Sequence, residues 1–90
     1  MRQEGKRILL EGAVTMDTVP ALLPGALAAV RAGADSLDFS ATTTVDSAAI
    51  GLALELRRAS NGTLALCNLP PTALNLARLY SVADQLGIPD

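Results

Sequence analysis

The 90-residue chain has no histidine, no tryptophan and only one cysteine, and these absences exclude several kinds of site. Without histidine, the sequence offers neither a zinc-ligand set nor a histidine general base for a catalytic triad. One cysteine cannot form an internal disulfide bond. Cys67 lies in the apolar run at residues 64–67, which favours a buried, unreactive thiol on a central strand, inaccessible in the native state.

Aromatic residues and net charge are also scarce. Phe39 and Tyr80 are the only aromatic residues, so the sequence predicts no stacking platform for single-stranded nucleic acid. The formal net charge is −2 and the pI is near 4.9, which argues against electrostatic attraction to nucleic acid. We therefore predict no nucleic-acid partner.

Long hydrophobic runs are missing as well. The longest apolar stretch covers residues 21–30 and is interrupted by Pro24 and Gly25, which makes it too short to span a bilayer. The N-terminal sequence MRQEGKR contains no apolar segment of a secretory signal. We predict one domain over residues 1–90, in the cytoplasm and without direct membrane insertion.

Catalytic and phosphate-binding motifs are not found. The sequence has no Walker A motif, no G-x-G-x-x-G motif and no G-x-S-x-G motif around Ser47. Asp35, Asp38 and Asp46 lie close in sequence and could hold Mg²⁺, although solvated loop carboxylates are the more frequent arrangement. We therefore predict no metal, no cofactor and no enzymatic activity, and expect the protein to act by binding another protein.

Alternating strand and helix signals predict an α/β fold with crossover connections. The predicted strands cover residues 7–12, with an extension to 15, then 36–39 and 63–68. The predicted helices cover residues 18–31, with a kink or restart at Pro24, then 47–60, and 72–86 with a break near Ser81. Six residues of the third helix are expected to share one apolar side. They are Leu76, Leu79, Tyr80, Val82, Ala83 and Leu86.

Residues 37–58 are the most informative segment. A short strand is followed by a polar threonine loop, and a helix then begins with Ser47 as the candidate N-cap. The same hydroxyl would lie at the helix N-terminus, where the helix dipole favours an anion such as phosphate. Ser47 is thus a structural cap, a phosphorylation site or the centre of a docking surface.

The apolar side of this second helix is wider than a sheet requires. It spans an arc of about 200°, which suggests that something else covers one edge of the helix. Arg57 lies inside the arc and either keeps its guanidinium in solvent or presents it to an acidic partner. Gly51 leaves a flat patch, either for another surface or for close packing within the domain. The arc consists of Ala49, Ile50, Leu52, Ala53, Leu54 and Leu56.

Several segments closely resemble the STAS domain, the fold of anti-sigma-factor antagonists and of sulfate-transporter tails. They are LDFS at 37–40, VDSAAI at 45–50, GTLAL at 62–66 and NLP at 68–70. The small size and the segment LARLYSV at 76–82 are most similar to MlaB-type members, subunits of the Mla phospholipid-transport ABC system of Gram-negative bacteria. The resemblance, over residues 8–86, implies an α/β STAS fold with a mixed sheet of about four strands and helices mainly on one side.

The resemblance also implies a function. MlaB-type proteins bind and support the ATPase subunit, so the implied partner is an MlaF-like ATPase of a transporter that maintains outer-membrane lipid asymmetry. The protein would then be peripheral to the inner membrane through its partner. The alternative is an anti-sigma-factor antagonist, bound to an anti-sigma factor and regulated by phosphorylation of Ser47. Many antagonists have D-S-S-G at this place, whereas Ala48 and Ala49 follow Ser47 here, which favours the transporter subunit.

The resemblance places partner contact on the loop before the second helix and along that helix. The candidate residues are Thr43, Thr44, Asp46, Ser47, Ala48, Gly51, Leu54, Glu55 and Arg58.

Overall fold

A computed structural model describes residues 1–89, and within them the predicted α/β fold with a mixed four-stranded sheet is confirmed. The strands are β1 (Arg2–Glu4), β2 (Arg7–Val14), β3 (Ser36–Val45) and β4 (Ala65–Cys67), in that order across the sheet. The helices are α1 (Val19–Arg31), α2 (Ser47–Ala59) and α3 (Pro71–Leu79), followed by a 3₁₀ turn at Asp84–Leu86. No helix among these residues has the length and hydropathy of a membrane span.

The N-terminal strand β1 was not predicted. It pairs with β2 as an antiparallel hairpin in which Glu4 lies opposite Arg7. Gly5 in the two-residue turn has a φ of 61°, as the first central position of a type II′ turn requires. Every residue of β1 is polar and exposed, so the strand has no apolar alternation, and only the glycine turn could have indicated it.

The remaining three strands are parallel, and their order places the helices on one face. The chain moves from β2 through α1 to β3, and from β3 through α2 to β4, always in the same direction across the sheet. Because such crossovers are right-handed, both helices lie on the same face. In agreement, α1 packs against α2, and α3 packs against the other side of α2. The opposite face of the sheet carries no helix of the described chain.

The core lies between the helices and the inner face of the sheet. Ile8, Leu10 and Val14 alternate along β2 and are fully buried, because successive side chains of a strand point to opposite faces. Each such side chain contributes about 1.5–3 kcal/mol on burial. Each of the three helices also buries two alanines, whose small side chains allow close packing of neighbouring elements. They are Ala26 and Ala29 on α1, Ala49 and Ala53 on α2, and Ala73 and Ala77 on α3.

The threonine segment before α2 is strand rather than the predicted loop. Thr42, Thr43 and Thr44 belong to β3, which stays paired with β2 as far as Val45. Two register shifts each add one residue to β3, and the second leaves Thr43 without a partner on β2, as in a β-bulge. β-Branched threonines are favourable in a strand, provided that the neighbouring strand is long enough to pair with them.

The prediction that Cys67 lies inaccessible on a central strand is wrong. Its strand β4 is at the edge of the sheet, and Cys67 is half-buried. The strand is also shorter than predicted, because only three residues pair with β3. An apolar run shows that a strand is partly buried, but it does not show where that strand lies in the sheet.

The helices follow their predicted ranges with two differences. Helix α1 continues through Pro24 without a restart. The break near Ser81 is confirmed by its φ of 58°, but the common apolar side beyond it is not. Leu79 is 73 % exposed and Tyr80 is 50 % exposed, whereas Leu86 is buried. Because the chain changes direction at Ser81, helical periodicity does not carry across it.

Candidate protein-binding surface

Helix α2 begins directly after β3, and Asp46 is its N-cap. The backbone of Asp46 is extended, and its Oδ1 accepts a hydrogen bond from the N–H of Ala48 at 2.8 Å. Its Oδ2 accepts from the N–H of Met16 at 3.1 Å. Asp46 therefore caps α2 and also fixes the loop between β2 and α1 against the start of that helix.

The prediction of Ser47 as the N-cap is therefore wrong. Ser47 is already the first helical residue, and its side chain is exposed. Aspartate and serine are about equally good N-caps, so two adjacent candidates cannot be ranked from sequence. The extended backbone of β3, which persists to Val45, brings Asp46 into the capping position.

This assignment predicts different stability losses for two neighbouring alanine substitutions. Asp46→Ala removes the cap and the bond to Met16, and should lower the free energy of unfolding by about 1–2 kcal/mol. Ser47→Ala replaces an exposed first-turn side chain and should change it by less than about 0.5 kcal/mol. Urea denaturation of both variants measures the difference. A larger loss for Ser47→Ala would restore serine as the cap.

The remaining candidates form one surface. Ser47, Gly51, Glu55 and Arg58 are exposed and lie on successive turns of α2, so they make a single stripe. Ala48 and Leu54 are half-buried on α2. Thr43 and Thr44 are exposed at the end of β3, immediately before the helix. We call this set, without the internally bonded Asp46, the α2 surface. Whether a partner binds it stays a prediction.

Gly51 is open to solvent. A Cβ built at Gly51 would meet no atom within 4 Å, so close packing of this glycine inside the domain is excluded. The helix backbone is accessible at the middle of the stripe, and another surface could approach it without displacing a side chain. The flat patch predicted from the sequence is therefore present.

Met16 is a residue of this region that sequence reasoning missed. Its side chain is 72 % exposed, and its N–H is bonded to the carboxylate of Asp46. The contact joins positions 30 residues apart, so the motif around Ser47 gives no indication of it. A methionine between Thr15 and Asp17 in a polar loop was the only signal. Flexible thioether side chains adapt well to a binding partner.

The wide apolar arc of α2 does not need a second molecule to cover it. Helix α1 packs on one side of α2, and α3 with the 3₁₀ turn packs on the other. Of the arc, only Leu54 is half-buried, while the other members are buried. The prediction that something other than the sheet covers an edge of α2 is confirmed, but the cover comes from α1, α3 and the 3₁₀ turn of the same chain, so the width gives no evidence of a partner.

Of the two alternatives left open by the sequence, a guanidinium kept free in solvent does not describe Arg57, and its presentation to an acidic partner stays a prediction. Its Nη1 donates to the carbonyl oxygen of Leu64 at 2.7 Å, and its Nε donates to that of Gln85 at 3.1 Å. Its guanidinium also lies against Gly87, where a Cβ would be 3.1–3.2 Å from three guanidinium atoms. Arg57 therefore ties α2 to the approach to β4 and to the 3₁₀ turn.

The three aspartates singled out in the sequence do not assemble into a metal site. Asp35 is exposed and Asp46 caps α2, whereas Asp38 is only 2 % exposed. The Oδ1 of Asp38 accepts from the N–H of Ser40 at 2.8 Å and from Nδ2 of Asn68 at 3.0 Å. Of the three aspartates, only Asp35 is therefore a solvated carboxylate. No group of three metal-binding side chains occurs among residues 1–89.

Hydrogen bonds keep the Asp38 carboxyl ionised. The Asn68 amide and the Ser40 N–H lower the pKa of Asp38 below its usual value, with the Asn68 bond as the largest cause. Burial acts in the opposite direction, and Arg7, whose Nη1 is 3.2 Å from Oδ2, adds a smaller lowering effect. This cluster links β2, β3 and the segment after β4, and it lies on the face of the sheet opposite the helices.

Comparison with known proteins agrees with this architecture. A search of curated proteins found no match to the sequence. A family model described as "Mlab, STAS domain" matches residues 1–88. That range includes every strand, every helix and the whole α2 surface. The chain therefore belongs to the STAS-domain family.

Proposed function

We propose that this protein is a non-enzymatic subunit that binds the ATPase of a phospholipid-transport ABC transporter and supports its assembly and activity. The observation that carries the proposal is the uncharged first half of the α2 surface, where Ser47 and Gly51 are exposed and Ala48 is half-buried. The description of the matching family model, which names Mlab, supports the choice of partner. The protein would be cytoplasmic and held at the inner membrane by the ATPase.

The composition of the surface suits an interface between proteins. Its first half is neutral, with small residues that another backbone can approach closely, and exposed Met16 lies beside it. Its second half carries Glu55 and Arg58, which pair with each other at 3.0 Å. An apolar or neutral centre with charged residues at the margin is typical of protein interfaces.

Coexpression with an MlaF-like ATPase tests the proposal. We expect the two proteins to co-purify, and the complex to hydrolyse ATP faster than the ATPase alone. The purified chain alone should hydrolyse neither ATP nor GTP above a no-protein control. Failure to form a complex at micromolar concentrations, or nucleotide hydrolysis by the chain itself, would refute the proposed role.

A second candidate function is an anti-sigma-factor antagonist switched by phosphorylation. The observation that favours it is the exposed Ser47 side chain in the first turn of α2, within reach of a kinase. A phosphate would add about −1.5 to −2 charges, which the helix N-terminus accommodates. Mass spectrometry after incubation with a cognate anti-sigma-factor kinase and ATP would decide, since this function requires modification at Ser47.

A further inference from the structure

A groove of about 470 Å³ lies at the C-terminal end of α2, and we propose that it binds an acidic segment of the partner protein. The occupant would be an extended peptide with an aspartate or glutamate next to an apolar residue. The groove contains two guanidinium groups and no carboxylate side chain in its lining. The lining residues are Leu54, Arg57, Arg58, Asn61, Gly62 and Gln85.

Arg57 supplies a cation that is already held in place. Of its five N–H donors, Nε and one on Nη1 are used by the carbonyl oxygens of Gln85 and Leu64. The rest have no hydrogen-bond acceptor within residues 1–89, and no carboxylate oxygen of that range lies within 4.0 Å of this guanidinium. A carboxylate could therefore form charge-assisted hydrogen bonds with little loss of side-chain freedom.

The other lining residues suit a peptide. Leu54 offers half-buried apolar surface beside the two arginines. Asn61 and Gly62 are exposed and have φ values of 56° and 79°. No atom lies within 4 Å of a Cβ built at Gly62, so an incoming backbone can approach there. The groove thus combines a cationic site, an apolar contact and accessible backbone.

The small number of basic residues in the groove favours a peptide over an anionic membrane. The lining has only two basic side chains, and Arg58 already has Glu55 at 3.0 Å. Surface attraction to acidic lipids usually requires a cluster of several basic residues, which this groove does not provide. A single carboxylate, in contrast, can be bound by the prepositioned guanidinium of Arg57 together with the neighbouring Arg58.

The first test uses the full chain and a blocked hexapeptide of alternating leucine and glutamate. In NMR titrations we expect millimolar binding with shifts at Asn61, Gly62 and the Nε–H of Arg57. Arg58→Glu should weaken binding at least about tenfold through charge reversal. Arg78→Glu makes the same charge change at an exposed site on α3 and should leave the affinity within about twofold. Melting curves of both variants check folding, with Arg58→Gln as the replacement if Arg58→Glu does not fold.

The outcomes separate this inference from the proposed function on which its choice of partner rests. No shift with the peptide, equal shifts with a leucine–glutamine peptide, or equal loss for both variants would overturn the groove assignment. So would unchanged ATPase binding by Arg58→Glu, or tighter binding to phosphatidylglycerol vesicles than to the peptide. Specific peptide binding without any ATPase complex would refute the ATPase role and leave the groove assignment supported.

Discussion

Ser47→Asp is expected to weaken binding to the ATPase by about 30-fold or more while the fold keeps its stability. The aspartate would be exposed in the first turn of α2, where the helix dipole favours a negative charge. At an interface the same carboxylate would lose its water without gaining a cation of this chain, because the first half of the α2 surface is neutral and the adjacent Asp46 is acidic. An uncompensated interfacial charge costs several kcal/mol, and each 1.4 kcal/mol is a factor of ten in affinity.

A matched control separates a local effect from a change in net charge. Asn75→Asp adds the same charge by an isosteric change at an exposed position of α3, and should bind within about twofold of the parent. Titration calorimetry measures the affinities, and thermal unfolding confirms that both variants fold. If Ser47→Asp keeps its melting temperature and still binds like the parent, Ser47 lies outside the interface and the ATPase must contact another face.

The main elements could be predicted because each has a local signal. The break at Ser81 and the ranges of α1 and α2 follow from caps and periodicity, which act within one or two helical turns. The predictions that were wrong concern features that depend on residues far away in the sequence. The strand character of Thr42 is set by pairing with Gly12. The exposure of Cys67 depends on the position of β4 at the edge of the sheet.

The same distinction applies to the candidate site. The stripe of Ser47, Gly51 and Glu55 is periodic along one helix, so its shared face could be derived from spacing alone. The roles of Asp46 and Arg57 could not be derived from spacing, because their hydrogen bonds reach residues 30 and 28 positions away. Asp38 is the clearest case, since its buried carboxylate depends in part on Asn68, 30 positions away, and nothing local predicts that pairing.

The Asp38 cluster should make stability depend on pH in a defined direction. Hydrogen bonds from Asn68 and Ser40, with the nearby Arg7, lower the pKa of Asp38 in the folded protein. In the unfolded chain an aspartate has a pKa of about 3.9. The ionised carboxylate therefore stabilises the fold fully above that unfolded value. The contribution is lost as the pH falls through the lower folded value.

Asp38→Asn tests this contribution because it removes the charge and keeps the shape and one oxygen acceptor. We expect a loss of about 1–2 kcal/mol in the free energy of unfolding at pH 7, since charge-assisted hydrogen bonds become neutral ones. The difference from the parent should shrink below about pH 4 and disappear once the parent carboxyl is protonated.

The control is Asp35→Asn, which removes a charge at an exposed position and should stay within about 0.5 kcal/mol of the parent throughout. Urea denaturation from pH 2 to 7 measures all three proteins. A constant difference across that range would mean that packing, rather than the charge of Asp38, holds Asn68 and the start of α3 in place.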